Sequence, residues 1–193
     1  VLPGDIKYRD LNGDGVIDAY DRKKIGRGDV PYLTLGAGIS LGYKAFDLQA
    51  FFQGQFGAED QLAGLSIHPF SGGGGRGNLY ANATDRWTEE NPDPDAFYPR
   101  LAYGDALNTN NTQVSSFWTR KLDFVRMKEM EIGYTLPPSF TGNSAFSNIR
   151  IYFQGRNLLT FSDFDLWDPE LNTSNGDSYP NTKVYAIGLD IQF

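Results

Sequence analysis

The sequence predicts an all-β chain whose antiparallel strands form one stretch of a large transmembrane β-barrel. Three observations point there. Segments about ten residues long alternate apolar side chains with small or polar ones. Long polar segments alternate with very short turns between those strands. No apolar run approaches the roughly 18 residues of a membrane helix. The 193 residues include 22 Gly and 15% aromatics, with a net charge of -7 and a mean hydropathy of -0.43. A low hydropathy suits a barrel, because half of each strand faces a polar lumen. The acidic balance, with nothing that makes a basic stripe, argues against nucleic acid as a partner. With no cysteine, neither a disulfide framework nor a thiolate metal site can form.

Residues 1–31 are expected to be an extracellular loop. Its centre, 10–21, reads D-L-N-G-D-G-V-I-D-A-Y-D. Asp10, Asn12, Asp14, the Val16 carbonyl, Asp18 and Asp21 occupy positions 1, 3, 5, 7, 9 and 12 of an EF-hand-type loop, and Gly15 the turn position 6. Ca2+ is a hard cation that takes six to eight oxygens, and the stretch offers carboxylate, amide and carbonyl oxygens in one turn. Asp21 stands where an EF-hand has a bidentate Glu, as in excalibur- and dockerin-like loops. No helix pair flanks it, so one structural calcium site is expected rather than a switch. The alternative is an Asx-rich turn cluster that needs no metal.

Strands follow over about 32–43 and 45–57. Leu33, Leu35, Ala37, Ile39, Leu41 and Tyr43 share one face; Gly36, Gly38, Ser40 and Gly42 share the other. After a tight turn at Lys44 and Ala45, Phe46, Leu48, Ala50, Phe52 and Phe56 oppose Asp47, Gln49, Gln53 and Gln55. Residues 58–116 break the pattern, with Gly72 to Gly75, four prolines and many Asn and Asp, and are expected to be a long external loop. His68 within it reads as a surface histidine. A third strand is expected over 120–136. Its apolar face (Met130, Ile132, Tyr134) meets Arg126 and Lys128 when carried backward, so the membrane part covers about 128–136 or a bulge shifts the register. Strands over 149–161 and 183–193 complete the set, separated by a second external loop, 162–182, that holds W-D-P-E. Tyr185, Ile187, Leu189, Ile191 and Phe193 line one face of the last.

Five strands do not close a barrel, which needs at least eight, and bare edges are not tolerated in lipid. The chain is therefore expected to be part of a larger protein. Short turns after 43 and 137 put those ends in the periplasm, with the C-terminus; long loops put the calcium loop outside.

At this point the residues resemble a family. P-G-D-I-K-Y-R-D-L-N-G-D-G-V-I-D at 3–18, Y-K-A-F-D-L-Q-A-F-F-Q-G at 43–54, V-R-M-K-E-M-E-I-G-Y-T-L-P at 125–137, I-Y-F-Q-G-R-N-L-L-T-F at 151–161, W-D-P-E at 167–170 and terminal Phe193 are similar to the C-terminal part of SusC/RagA-type TonB-dependent outer-membrane transporters. The resemblance implies a roughly 22-stranded barrel in the outer membrane of a Bacteroidota-like bacterium. It also implies a plug outside this chain, coupling to the TonB complex through the missing N-terminal region, and a SusD-like surface lipoprotein as lid. The lipid bilayer, the barrel-assembly machinery reading the strand that ends at Phe193, and an oligosaccharide or peptide substrate complete the expected partners.

No catalytic constellation emerges, so no enzyme is expected. The carboxylates Asp163, Asp165, Asp168 and Glu170 read as a solvated acidic loop or a second cation site rather than glycosidase machinery. Two further readings stand beside import: a SusC-like barrel serving as a scaffold in a larger outer-membrane complex, and a soluble calcium-binding β-module. No substrate-binding residue is legible.

Overall fold

The computed structural model describes residues 1–70, 79–103, 109–142 and 145–193; the Gly72 to Gly75 run lies outside them. The described residues form two compact units. One comprises Val1–Gly28, Glu59–Arg120 and Thr173–Asp177; the other comprises Asp29–Ala58, Lys121–Asn172 and Ser178–Phe193.

The second unit is a five-stranded antiparallel sheet of β1 (Leu33–Tyr43), β2 (Phe46–Phe56), β5 (Phe124–Thr135), β6 (Asn148–Ser162) and β7 (Val184–Gln192), in the order β1-β2-β5-β6-β7. Every pairing is antiparallel. A two-residue turn joins β1 to β2, with Lys44 at φ 55 and Tyr43 paired to Phe46. Between β5 and β6 stands the short helix α1 (Pro138–Thr141). Pro137 and Pro138 stop β5 there, because proline has no N–H to give to a ladder.

The expected strand over 120–136 is two strands. Thr119–Lys121 (β4) pairs with Glu59–Gln61 (β3) in a separate two-stranded sheet, and β5 begins only at Phe124. The interruption has a local cause: the Asp123 carboxylate accepts from the Gly57 amide at 2.5 Å, and the Leu122 amide donates to the Ala58 carbonyl at 2.9 Å.

The register collects one apolar face. Leu35, Ala37, Ile39 and Leu41 on β1 lie beside Ala50, Phe52 and Leu48 on β2. These continue into Met130, Ile132 and Tyr134 on β5, Phe153 and Ile151 on β6, and Ile187, Leu189 and Ile191 on β7. Much of it is uncovered: Ile39, Leu41, Ile132, Ile151, Ile187 and Leu189 are all exposed. An apolar surface this continuous faces a membrane or a partner rather than water.

A bulge resolves the problem of Arg126 and Lys128. Pairing of β2 with β5 steps from Phe51↔Glu129 to Phe52↔Met127, leaving Lys128 as an extra residue. On β6 the step from Arg156 to Leu159 puts Asn157 and Leu158 against it, with Asn157 at φ 52. One extra residue inverts side-chain alternation. Val125 and Met127 therefore join the apolar face and Arg126 turns to the polar one, opposite Gln53 and Thr160. The apolar face runs on to Val125 instead of stopping near 128.

Nearly all of the 58–116 stretch, expected as a long external loop, lies in the first unit. This unit has its own core: Leu62, Ile67, Ala83, Ala96, Tyr98 and Trp118 are buried. The Trp118 indole donates to the Asn111 carbonyl at 2.8 Å, and the Leu62 amide to the Trp118 carbonyl at 2.9 Å. His68 is not at the surface. It is 7% exposed and edge-on to Trp118 with ring centroids 4.6 Å apart. Burial holds its pKa below the usual value.

Candidate functional site

Two places gather the polar chemistry: the loop over Asp10–Asp21 in the first unit, and the polar face of the sheet in the second.

The Asp10–Asp21 loop is shaped by its own side chains. Asp10 accepts from the amides of Gly13 (2.5 Å) and Gly15 (2.8 Å). Asn12 accepts from the Asp14 amide and Asp14 from the Val16 amide, at 2.9 and 2.8 Å. Asp18 caps the 3-10 turn Ala19–Asp21 by accepting from the Tyr20 amide, while Asp21 accepts from the Asp18 amide. This reciprocal capping box was legible as D-x-x-D but is not used in the EF-hand reading. Asp21 also takes the Leu11 amide at 2.7 Å, and these backbone bonds lower its pKa. Gly13 and Gly15 sit at φ 80 and 81, a left-handed backbone that glycine adopts without strain.

Fit to a cation can be judged from this arrangement. The turn and the oxygen-only donor set suit a hard cation, and each carboxylate oxygen bound to an amide keeps a second lone pair. Among the described residues, however, no group of three or more His, Cys, Asp or Glu side chains is drawn together to hold a metal ion. The backbone is formed; the carboxylates face its amides.

The segment leading into this loop is tied down in the same unit. The Asp5 carboxylate accepts from the Leu2 amide at 2.8 Å and from Asn111 Nδ2 at 3.0 Å, and pairs with Arg100 at 3.0 Å. Burial pushes the Asp5 carboxyl up, but these partners more than reverse it, so its pKa is lowered.

On the sheet, polar residues of β2 and β6 share one face. Asp47, Gln49, Gln53 and Gln55 lie opposite Gly42, Ser40, Gly36 and Thr34, and Arg150, Gln154 and Arg156 lie opposite Thr135, Glu131 and Glu129. Arg150 is the hub. Its Nε donates to Asp47 at 3.0 Å, its Nη2 to Glu131 at 2.7 Å, and Asp190 stands 3.7 Å from Nη1. Gly133 makes room for this. A Cβ there would collide with the Arg150 guanidinium. Gly188 likewise leaves room for the Tyr152 ring and Gly36 for Phe51, whereas the space beside Gly42 is open.

A second cluster involves the W-D-P-E segment. Asp168 and Glu170 both bind Arg126, Glu170 at 3.2 Å, and Lys128 donates to both Glu170 oxygens at 2.7 Å. Arg126 is 2% exposed. Trp167 stacks edge-on against buried Phe164 at 5.1 Å. Asp168 and Glu170 are therefore held by protein cations, which corrects their reading as a solvated loop. Burial raises the Asp168 pKa, but the Arg126 hydrogen bond, the Glu170 amide and the Arg126 charge outweigh it and leave it lowered. No spacing in the sequence signals this pairing, because its partners lie 42 positions apart.

Known proteins place the chain. It is 33% identical over 204 residues to TonB-dependent receptor P3 of Formosa agariphila, covering 99% of this chain and 19% of that protein. It is 34% identical to TonB-dependent receptor P26 of the same organism, covering 98% and 20%. Among solved structures it is similar to the RagAB peptide transporter, at TM-score 0.71 and 26% identity over 92% of this chain and 19% of that one. The chain belongs to the TonB-dependent receptors of the SusC/RagA type. No family model matches it. It spans about a fifth of the length of these relatives, and the kinship places its sheet in the outer membrane. The same likeness extends to the RagAB importer in its open-open state, at TM-score 0.70.

Proposed function

We propose that this chain supplies part of the wall and outer loops of a TonB-dependent importer of oligosaccharides or peptides that works with a SusD-like surface lipoprotein. The observation that carries this reading is the two-faced sheet. One face is a continuous apolar band; the other is glutamine-rich and laced with the Arg150 ion pairs. A wall like this separates lipid from a polar lumen and takes part in no bond-making step. The importer relatives named RagAB support the same reading.

In this reading the short β1–β2 turn lies on the periplasmic side, and the Asp10–Asp21 loop and the 162–182 segment lie outside. Asp10, Asn12, Asp14, the Val16 carbonyl, Asp18 and Asp21 would hold one structural Ca2+, which would lend the loop rigidity when bound. The test is deletion of the gene for the full-length receptor in its native host, followed by growth on single oligosaccharides and peptides. Loss of growth on one class, restored by the intact gene, is expected. Unchanged uptake on all of them, with loss of a co-purifying assembly, would overturn import in favour of a scaffold.

A further inference from the structure

Arg22, Lys23 and Lys24 follow the Asp10–Asp21 loop directly, with Arg27 three residues on. The chain has 17 basic residues and a net charge of -7, so four cations within six positions stand out against its background. Arg22, Lys23 and Lys24 are exposed, and among the described residues none of the three enters an ion pair. No carboxylate of the acidic loop just before them forms an ion pair with them. Asp10, Asp14, Asp18 and Asp21 are turned to the amides of their own loop.

Covalent reach limits how far this run can stand from β1. Lys24 precedes Leu33, the first residue of β1, by nine positions, which span at most about 30 Å. A second tether is shorter. The Glu59 amide donates to the Gly28 carbonyl at 2.8 Å and the Arg27 amide to Glu59 Oε2 at 2.9 Å, and Glu59 is three residues past Phe56, the end of β2. Apolar residues punctuate the same stretch: Ile25, Val30 and Tyr32 are all exposed. Cations interleaved with exposed apolar and aromatic groups, a few residues from the end of a membrane strand, have the composition of a segment that rests on an anionic membrane surface.

We propose that Arg22, Lys23 and Lys24 bind the phosphate groups of anionic lipid headgroups in the leaflet at the β1 entry end. The chemistry is charge-assisted hydrogen bonding of guanidinium and ammonium groups to phosphate oxygens, strengthened near the surface and weakened by salt. The inference rests on the outer-membrane placement of the sheet.

The test uses the full-length receptor in detergent, titrated with bis-phosphorylated lipid A and read by native mass spectrometry at low and high salt. Wild type is expected to bind it in a salt-sensitive way. Combined Arg22→Gln, Lys23→Gln and Lys24→Gln should weaken binding by about fivefold per charge removed, whereas Lys7→Gln, an exposed cation elsewhere, should leave it unchanged. Heat-modifiable migration on gels confirms that each variant retains its barrel. Equal affinity of the triple variant would overturn the proposal. So would equal binding of dephosphorylated lipid A, or an equal loss in Lys7→Gln. A wild-type receptor found outside the outer membrane would remove the placement itself, an outcome separate from the titration.

Discussion

Arg126 and Asp168 meet across 42 positions of sequence because of the bulge at Lys128. Without that extra residue Arg126 would share a face with Met130 and Ile132 and point at lipid. The bulge turns it to the polar side, where Asp168 and Glu170 close on it. A backbone irregularity and an ion pair are thus one device: the first delivers the charge, the second neutralises it.

Removing Arg126 should therefore release the segment it holds. Arg126→Ala takes the cation from part-buried Asp168 and leaves Glu170 to Lys128 and Asn181, at a cost of about 3 kcal/mol in docking of the 163–171 segment. The sheet should persist, since its ladder does not depend on this pair. Hydrogen exchange of the full-length receptor should show lost protection over 163–171 and little change over β5. Unchanged protection there would mean that Trp167 and Phe164 hold the segment alone.

Acid should do the same reversibly. The Asp168 pKa is lowered in the folded protein from its ordinary value of 3.8. A lowered carboxyl adds stability that is fully present above that ordinary value and is lost as pH falls through the folded one. Docking of 163–171 should hold at neutral pH and fade below about pH 4. Asp168→Asn should flatten most of that response when exchange is followed against pH.

Strand periodicity made the sheet readable, since one face of each strand is apolar and two-residue spacing survives any change of partner. What it hid is instructive. The bulge at Lys128 breaks alternation on one strand only, and its need appears in the sequence merely as two cations out of place. The core around Trp118 has no period at all: Leu62, Ile67, Tyr98 and Trp118 come from irregular backbone, so nothing in their spacing marks them as neighbours. His68 reads as a surface residue for the same reason. Of the candidate site, the oxygen donors of 10–21 were legible as a motif, whereas Arg150 and Arg126 gain their partners only from strand register.

His68 offers a titration to follow. Burial lowers its pKa below the ordinary value of 6.5, so the folded state favours the neutral ring. Stability from this group is fully present above pH about 6.5 and is lost as the pH falls from there through the lower folded value. Because His68 lies edge-on to Trp118, the indole environment should change over that window. Tryptophan emission of the full-length receptor should shift reversibly below pH 6.5 and should not do so in His68→Phe. An identical shift in that variant would assign the change to another group.

The calcium reading of 10–21 makes the most direct demand. Gly15 at φ 81 and the Asp10 carboxylate on the Gly13 and Gly15 amides close the turn with hydrogen bonds of its own. Calcium should therefore rigidify the loop rather than fold it. Proteolysis of 10–24 in the full-length receptor should slow when Ca2+ is added and recover its rate with chelator. Asp10→Ala removes both a ligand and the turn's acceptor, and Asp14→Ala removes a ligand and the acceptor of one amide, so both should lose the calcium protection while the barrel still inserts. Asp10→Asn keeps much of the hydrogen bonding but carries less charge, so it should weaken Ca2+ without loosening the free loop as far. If Asp10→Ala binds Ca2+ as tightly as wild type, the loop is an Asx-rich turn and not a cation site.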